Sequence, residues 1–460
     1  MATPTFISSL ASALSPEARI LSEQGSAEFK DSLARWSDYG IRTPTAIVQP
    51  ASESDIVTAI KELVSASIPF VPASGGHSPF STVGKDGFII DLSRFKGVEV
   101  DEANGLATIK GGTLAKQVQT ALHPYKRFAA VGSSSTVGLI PYYIGGGVSS
   151  YTPFYGYACE NIVAAKLVTA KGELLSVSET ENPELLWGIR GAGQFLGIVT
   201  QITIRTLPYS TMGNEQGQRM VGMFAFTPDK LDAVCAAMAP IMESKEHASA
   251  GHFSVTLAPP EFQHQVILAI PEVFASPEKA AEILRPLTDL GPVMQMLMPS
   301  TFDKHSDAFE YLSAKGDFKR FSQIGMTGFR VEEFRELVKL HSELVSTCPD
   351  GATSGFTVEW HTPCSQPRVD TAFGNHGVEY WMNVLTWYKD AKNHEYMESM
   401  DKRAQAAVRA ADKEADYITY TNTSREDPIE WRYKGEDRIS KLRTLKKQWD
   451  PTGVFTKQFL

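Results

Sequence analysis

Cysteine is scarce in this chain, and the cysteines that it has are widely spaced. Four occur among 460 residues, at Cys159, Cys235, Cys348 and Cys364, and no two of them form a C-x-x-C pair. This spacing excludes the disulfide framework of a small secreted protein. In the segment "HTPC", His361 and Cys364 have the spacing of half a metal site, but no second half accompanies them, so we predict no metal.

Runs of basic residues and long apolar runs are also missing. The net charge is −9, with 44 Lys and Arg against 53 Asp and Glu, which argues against nucleic acid or an anionic membrane as the partner. No window holds 18 uninterrupted apolar residues, so we expect no membrane-spanning segment. The start of the chain lacks a basic residue before Arg19 and is a poor secretion signal. We therefore expect a cytoplasmic protein whose partner is a small molecule, and the oligomeric state stays open.

The chain does contain an irregular alternation of strand and helix patterns from residue 43 to residue 208. Strands are predicted at "TPTAIVQP" and "GFIIDLS", a helix at "SESDIVTAIKELVSASI", and a hairpin at "GVEVDEANGLATIKGG". The segment "GAGQFLG" has the glycines of a dinucleotide fingerprint, but a helix precedes it and a strand follows it, which is the reverse of what that motif needs. These patterns predict an α+β fold and exclude a doubly wound parallel sheet.

A second block begins near residue 212 and has a different pattern. Three long helical segments separate strand-like segments, which are "MVGMFAFT", "HFSVTLA", "HQVILAIPEVF", "FTVEWHTP" and "VEYWMNVLTWY". This order predicts an antiparallel sheet with helices on one face and the other face free to wall a pocket. An aromatic and basic tail follows, so we divide the chain into residues 1–210, with a core at about 40–210, residues 211–414, and residues 415–460.

Two loops rich in glycine and serine lie in the first block: "SGGHS", residues 74–78, and "VGSSSTVGLIPYYIGGG", residues 131–147. Neither contains the GK[ST] of a P-loop. Glycine-rich backbone with free N–H groups binds phosphate or pyrophosphate, so two such loops can hold both ends of a long cofactor. Each loop alone is equally typical of an ordinary turn, and His77 alone is equally typical of a buried, hydrogen-bonded histidine.

Several segments, taken in order, closely resemble the FAD-linked oxidases of the vanillyl-alcohol oxidase superfamily: "PASGGHS", "GFIIDLS", "VGSSSTVG", "GGGVSSYTPFYGYACENIVAAKLVTAKGELL", "PELLWGIRGAGQFLGIVT" and "RISKLRTLKKQWDPTGVF". The berberine-bridge-enzyme-like branch is nearest, beside 6-hydroxynicotine and oligosaccharide oxidases. The resemblance covers about residues 40–210 and 415–460. It implies a two-domain PCMH-type FAD-binding fold, in which the C-terminal segment returns to the FAD domain and residues 211–414 form the substrate domain.

The resemblance also implies how FAD is held. In the family, the histidine of the "SGGH" turn bonds covalently to the 8α-methyl carbon of the flavin, and His77 is its match. Many relatives have a second link through a cysteine, where this chain has Ser134; a hydroxyl is too weak a nucleophile for that bond, so we expect a single link. By position, the expected FAD contacts are Ser74, Gly75, Gly76, His77, Ser78, Gly132, Ser134, Thr136, Val137, Gly138, Gly145, Gly146, Tyr155, Gly156, Ile198, Val199 and Asn422.

Other positions agree with the family or depart from it. Val137 stands where relatives gate the access of oxygen to the flavin, and valine there is typical of the oxidases. Ala73 replaces an arginine often found before "SGGH", and Asn422–Thr423 replaces the family's "NY". The family's carboxylate base falls near Ser365–Gln366 in this chain, so the residue that accepts the substrate's proton is in doubt.

Four residues are candidates for that acceptor, because hydride transfer needs a group within hydrogen-bond reach of the substrate's hydroxyl or amine proton. Glu359 and His361 in "FTVEWHTP" are two positions apart, so on a strand they share a face. Tyr142 and Tyr143 lie beside the glycine-rich loop. Each of the four could equally make a structural polar contact.

The sequence as a whole predicts an FAD-dependent oxidase. It would transfer a hydride from an alcohol, an amine or an activated C–H group of a small specialised metabolite to covalently bound flavin, and O2 would reoxidise the flavin. Two alternatives stay open. One is a sugar or oligosaccharide oxidase, which would favour an open, acidic groove, and the other is a flavin-holding cyclase without net redox change.

Overall fold

A computed structural model of the chain describes residues 4–258, 261–364, 369–375, 377–424 and 426–455. Its strands are β1 (Arg19–Leu21), β2 (Ala46–Gln49), β3 (Phe70–Ala73), β4 (Phe88–Asp91), β5 (Val98–Asp101), β6 (Leu106–Lys110), β7 (Arg127–Phe128), β8 (Ile162–Val168), β9 (Leu174–Ser178), β10 (Ile198–Arg205), β11 (Leu207–Pro208), β12 (Gln218–Phe226), β13 (Ser249–Leu257), β14 (Gln265–Val273), β15 (Met294–Thr301), β16 (Phe318–Met326), β17 (Gly355–His361), β18 (Tyr380–Tyr388) and β19 (Ile418–Thr419).

The α-helices range from single turns to more than four turns. They are α1 (Pro4–Ala13), α2 (Ala27–Leu33), α3 (Glu53–Ser65), α4 (Ala115–Leu122), α5 (Leu139–Ile144), α6 (Thr152–Tyr155), α7 (Pro183–Ala192), α8 (Leu231–Met242), α9 (Pro277–Asp289), α10 (Val331–Thr347), α11 (His394–Val408), α12 (Ile429–Arg432) and α13 (Glu436–Trp449). The helix α3 begins as its sequence indicates, because Ser52 and Asp55 form a reciprocal capping box.

Two sheets are built from the first half of the chain. One has the order β1-β2-β4-β3, with β2 and β3 both parallel to β4, and the other is antiparallel with the order β5-β6-β10-β8-β9. The helices α4, α5 and α7 share one apolar core with the five-stranded sheet, and α13 from the end of the chain adds Ile439, Leu442 and Leu445 to it. The first glycine-rich loop follows β3, and the second leads into α5. The positions of both loops are therefore set by the elements of these two sheets.

The second half of the chain forms an eight-stranded antiparallel sheet with the order β15-β12-β14-β13-β17-β18-β16-β19. Alternate residues of its central strands, such as Phe356, Val358 and Trp360 of β17, pack in one core with helices α8, α9, α10 and α11. The intervening residues, which include Glu359, lie on the opposite face. The helices therefore cover one face of the sheet and leave the other to the first half of the chain.

The predicted fold class is confirmed: the chain is α+β, with an antiparallel second sheet that has helices on one face. The hairpin at β5 and β6 and the antiparallel pair β8 and β9 are where the patterns place them. Among the described residues, no helix is both long enough and apolar enough to cross a lipid bilayer.

Candidate active site

His77 lies on the loop between β3 and β4, and three neighbours define its setting. Its Nε2 is 2.7 Å from Thr136 Oγ1, with which it shares a hydrogen bond. The indole of Trp36 stacks on the imidazole, with 5.8 Å between ring centroids and 18° between planes. Burial and, to a smaller extent, the charges of Lys319 and Lys315 together lower the pKa of His77 to about 4. The ring is therefore neutral near pH 7 and keeps a nitrogen lone pair, as a nucleophile requires.

The two glycine-rich loops meet directly at Gly75. A Cβ there would collide with the carbonyl oxygen of Thr136 and the amide nitrogen of Gly138, so only glycine fits. Gly76 has a φ of 75°, in the left-handed region that favours glycine. Among the described residues, the backbone N–H groups of residues 75–78 donate to no protein acceptor. Two converging stretches of bare backbone with available N–H donors fit the phosphates of a dinucleotide cofactor such as FAD.

The second glycine-rich loop is tied to a segment of the second half of the chain. Ser134 Oγ is 2.8 Å from Ser313 Oγ, and Ser135 Oγ is 3.2 Å from the same hydroxyl. Val137 is half-buried against the core of the five-stranded sheet, and its carbonyl accepts a hydrogen bond from the N–H of Ala115. Ser134, at the position of the family's cysteine, thus has its hydroxyl engaged with Ser313.

The three glycines after α5 lie against the C-terminal part of the chain. A Cβ at Gly145 would collide with the side chain of Asn422, whose Nδ2 donates to Pro141 O at 3.2 Å. Gly146 has a φ of 122°, and its Cβ would lie 2.5 Å from Phe373 Cε2. The structure thus places Asn422 beside Gly145 and Phe373 beside Gly146, and the predicted contacts of Asn422, Gly145 and Gly146 with FAD stay a prediction.

The remaining predicted FAD contacts are spread more widely. The Tyr155 hydroxyl donates to Phe128 O and accepts from the N–H of Leu207, both at 2.5 Å, so it is committed to the core. Ile198 and Val199 are buried at the start of β10. The others lie outside helices and strands: Ser74, Ser78, Gly132 and Gly156.

Glu359 lies on the face of the eight-stranded sheet opposite the helices. Its Oε2 accepts hydrogen bonds from Asn383 Nδ2 at 3.1 Å and from Gln323 Nε2 at 3.4 Å. Its Oε1 has no protein donor among the described residues. The two amides therefore hold one carboxylate oxygen and leave the other as an acceptor.

His361 is on the same face of β17 but makes different contacts. It is buried, with Nδ1 3.0 Å from Thr362 O, and a carbonyl can only accept, so Nδ1 carries the proton. Its ring lies edge-on to Tyr157 at 5.9 Å between centroids. The predicted sharing of a face is thus present, and each residue has its own hydrogen-bond partners.

Three tyrosines surround the glycine-rich loop. Burial raises the pKa of Tyr142, Tyr143 and Tyr420 above the ordinary value, and the charge of Glu359 contributes for Tyr142 and Tyr420. The Tyr142 hydroxyl donates to Val148 O, while the Tyr420 hydroxyl accepts from the N–H of Gly147, both at 2.5 Å. Tyr420 links the loop to Glu359: its hydroxyl accepts from Gly147, and its backbone N–H donates at 2.9 Å to the carbonyl oxygen of Gln323, whose side chain donates to Glu359.

Several residues of this region were not predicted from the sequence: Trp36, Lys319, Gln323, Asn383 and Tyr420. Alternation along "VEYWMNVLTWY" was a usable signal for Asn383, because it interrupts an apolar strand. The others come from segments without a motif. The sequence position of the family's base, Ser365–Gln366, lies outside the described residues. Among those described, no group of three His, Cys, Asp or Glu residues is placed to hold a metal ion.

Comparison with known proteins agrees with this geometry. Residues 44–178 match the family model described as FAD binding domain. The chain is 27% identical to the FAD-linked oxidoreductase fogF of Aspergillus ruber, over 95% of this chain and 90% of that protein. It is 26% identical to the FAD-linked oxidoreductase hasG of Aspergillus fumigatus, over 94% of each.

Solved structures share the fold over almost the whole chain. The BBE-like 1 protein of Physcomitrella patens superposes with a TM-score of 0.83 at 18% identity, covering 98% of each chain. The 6-hydroxy-D-nicotine oxidase of Arthrobacter nicotinovorans gives 0.82 at 19% identity, covering 98% of this chain and 99% of that one. The xylooligosaccharide oxidase of Myceliophthora thermophila, solved with xylobiose, gives 0.83 at 18% identity, covering 99% and 98%. The chain is therefore an FAD-linked oxidoreductase enzyme with an FAD-binding domain, and it shares the fold of the BBE-like 1 protein and of 6-hydroxy-D-nicotine oxidase.

Proposed function

We propose that the protein is an oxidase that holds FAD through a covalent bond to His77 and oxidises a small molecule between its two halves. Residues 1–210 and 415–460 would hold the cofactor, and residues 211–414 would supply the substrate pocket. The observation that carries the proposal is the meeting of both glycine-rich loops around a neutral His77, with the carboxylate of Glu359 near the same loops.

Bound FAD would supply a two-electron acceptor for substrate oxidation. The backbone N–H groups of residues 75–78 would bind its phosphates, and the glycines at 145 and 146 would let the backbone approach it closely. His77 would anchor it through one bond. Ser134 would contribute a hydrogen bond and no second link, because a neutral hydroxyl is a poor nucleophile.

Glu359 would accept the proton that the substrate loses. Its Oε2 is held by Asn383 and Gln323, which fixes the orientation of the carboxylate, and Oε1 remains for the substrate's O–H or N–H. His361 would stabilise the neighbouring backbone of the pocket wall through its hydrogen bond to Thr362 O. A fixed carboxylate with one available oxygen is the arrangement that general base catalysis needs.

Tyr142 and Tyr143 are less suited to that role. Burial raises the pKa of both phenols, so both stay protonated near pH 7 and can donate a hydrogen bond but not accept a proton. The Tyr142 hydroxyl already donates to Val148 O at 2.5 Å. We assign these tyrosines to the support of the glycine-rich loop.

The pocket face favours a substrate with alcohol or amine groups. Ser254 Oγ and Thr357 Oγ1 are 2.9 Å apart on this face. Asn383, only 8% exposed, has an Oδ1 without a partner among the described residues. Hydroxyl and amide groups of this kind bind O–H and N–H donors. We propose an alcohol- or amine-bearing specialised metabolite, and the same polar face supports a sugar oxidase as the second candidate.

The proposal is tested by anaerobic mixing of the purified protein with panels of alcohols, amines and sugars. A true substrate should remove the absorbance of oxidised flavin, and admitting O2 should restore it with release of hydrogen peroxide. Reoxidation should slow in Val137→Ile, because a larger side chain beside the flavin obstructs O2. If product forms while the flavin stays oxidised, the protein is a cyclase without net redox change and the oxidase proposal is wrong.

A further inference from the structure

Lys319, on β16, is buried in an unusual setting. It is 3% exposed, and its Nζ donates to three backbone carbonyls: Trp36 O at 2.9 Å, Ala314 O at 2.6 Å and Gly316 O at 2.9 Å. The same ammonium lies 5.1 Å from the ring centroid of Trp36 and 4.3 Å from that of Trp387. No carboxylate among the described residues forms an ion pair with it. Burying a cation without a paired anion costs free energy, so its position calls for a function.

Trp36 connects this cation to His77. One indole lies beside Lys319 and also stacks on the imidazole, with 5.8 Å between centroids. The Trp36 N–H donates to Gly76 O at 2.9 Å, next to His77 in the chain. Its indole Nε1 donates to Leu312 O at 2.5 Å. Hydrogen bonds therefore hold both the backbone and the indole ring of Trp36. The fixed indole in turn sets the orientation of the His77 imidazole that stacks on it.

The charges around His77 are mainly positive. Lys319 and the exposed Lys315 both oppose protonation of the ring. Arg35 lies beside the loop, because a Cβ added at Gly76 would be 3.4 Å from its Cδ, and the charge of Asp91 acts on Arg35. Burial lowers the pKa of Lys319, whereas the charges of Asp317 and Asp38 favour its protonated form. Thr136 contributes a neutral hydroxyl.

We propose that Trp36 and Lys319 are positioning residues for the attachment of flavin to His77: Trp36 sets the plane of the imidazole, and the positive charge of Lys319, with that of Lys315, keeps the ring unprotonated. This inference rests on the proposed covalent bond at His77. The inference assigns a role to Trp36 and Lys319, which lie about 280 positions apart in the chain. Neither residue takes part in the proposed covalent bond between His77 and the flavin.

Attachment forms one bond between an imidazole nitrogen and the 8α-methyl carbon. One N–H bond of the imidazole and one C–H bond of the methyl group break. Both protons leave, and two electrons remain in the cofactor until molecular oxygen takes them up with the two protons as hydrogen peroxide. Only an imidazole with a free lone pair can form the new bond, so protonation of His77 would stop the reaction.

The test follows covalent incorporation. Full-length apoprotein from riboflavin-starved cells is mixed with FAD between pH 3 and pH 8, and acid-stable flavin fluorescence is measured with time. The wild-type rate should be nearly constant above about pH 5, because burial and both lysines hold the pKa of His77 at about 4. In Lys319→Met the midpoint of the pH profile should move up by roughly one unit. Lys402→Met, which removes an exposed charge from α11, is the control and should behave as wild type.

Trp36→Leu should slow incorporation at every pH without moving the midpoint, because it removes the stacking partner and no charge. If Lys319→Met fails to fold, Lys315→Met decides: an upward shift supports the proposal, and an unchanged midpoint overturns it. An unchanged rate and midpoint in Lys319→Met also overturns it. If wild-type protein itself acquires no acid-stable flavin, the proposed bond at His77 is wrong, which is a separate result.

Discussion

At the scale of single residues, the proposed chemistry divides between two side chains with opposite requirements. His77 must be neutral to form a bond to carbon, and it lies in a positive, buried setting. Glu359 must be able to take a proton, and it is held by two amide donors on a polar sheet face. The neighbours of these two side chains, more than the residue types themselves, therefore set the chemistry that we propose for them.

The first prediction concerns Glu359. Glu359→Gln keeps the shape of the side chain, but the amide cannot accept the proton. The rate of anaerobic flavin reduction by substrate should therefore fall about 10²–10⁴-fold. Stopped-flow absorbance across a range of pH measures this rate, and flavin content should stay at the wild-type level.

Glu332→Gln is the matched control for this prediction, because its side chain is 84% exposed on α10. It should reduce at the wild-type rate. Wild-type reduction in Glu359→Gln would assign that carboxylate a structural role. His361→Ala should then be measured as the next candidate.

At the scale of elements, the turn after α5 packs its glycines against the C-terminal part of the chain, and on the proposed function its backbone lies beside the cofactor. A side chain at Gly146 meets two obstacles: a φ of 122° and the ring of Phe373, whose Cε2 would be 2.5 Å away. The strain of a left-handed residue and the displacement of a buried ring each cost about 1–3 kcal/mol.

We therefore predict that Gly146→Ala lowers both the melting temperature and the FAD content. Thermal denaturation and flavin absorbance per mole of protein measure the two effects. Gly84→Ala is the control, since nothing lies within 4 Å of its Cβ and its φ is not positive. Full FAD content and unchanged melting in Gly146→Ala would show that the turn tolerates a side chain.

The element scale also shows how far sequence reasoning reaches. Strands with regular alternation, such as β17 and β18, and the helix α3 with its Ser52 cap were predicted, because burial and capping leave a local pattern. Among the longer strands, β15 and β16 were missed. In β15 residues 294–299 are exposed, so no alternation with the core exists. In β16 the buried side has Lys319 and Gln323, which looks polar in the sequence.

The candidate site divides in the same way. His77 is marked by its own glycine turn, and Glu359 by its spacing from His361. Trp36 and Lys319 have no local signature, because their significance comes from tertiary contact across 283 residues. Local motifs thus pointed to the residues for which we propose a reacting role, whereas the residues that we propose to set their charge and orientation required the structure.

At the scale of the whole molecule, a buried charge network joins the two halves. Arg219 of β12 pairs with Glu272 of β14 and donates to the Tyr151 hydroxyl at 3.0 Å, while Ser150 donates to Glu272 at 2.9 Å. Burial opposes ionisation of Glu272, but the charge of Arg219 prevails and lowers its pKa to about 2. Burial also lowers the pKa of His305, beside Arg219, to about 3.

These groups predict that stability falls in acid. Burial lowers the pKa of His341 to about 4, as it lowers that of His305 to about 3. Between about pH 6.5 and those values the unfolded chain binds protons that the folded chain does not, so the free energy of unfolding decreases as pH falls. Glu272 adds its own loss from about pH 4.5 downward.

The melting temperature should thus be lower by roughly 5 °C at pH 5 than at pH 7.5, as calorimetry can measure. His341→Gln removes one titrating ring and should flatten this dependence. A melting temperature that does not change over the range would contradict the buried, neutral state of both imidazoles.

Contacts between the two halves of the chain around His77 also determine when, during synthesis, the surroundings of His77 can form. Residues 35–38 bond to residues 314–319 through Gly316 N–H to Arg35 O at 3.2 Å and Asp38 N–H to Asp317 O at 2.8 Å. A ribosome releases the first of these segments long before the second, so the setting of His77 is complete only in the last third of the synthesis of the 460 residues. If flavin attaches to His77 as proposed, acid-stable flavin absorbance would therefore mark molecules that have finished folding. The amount of this absorbance in a cell extract would measure mature enzyme separately from newly made chains.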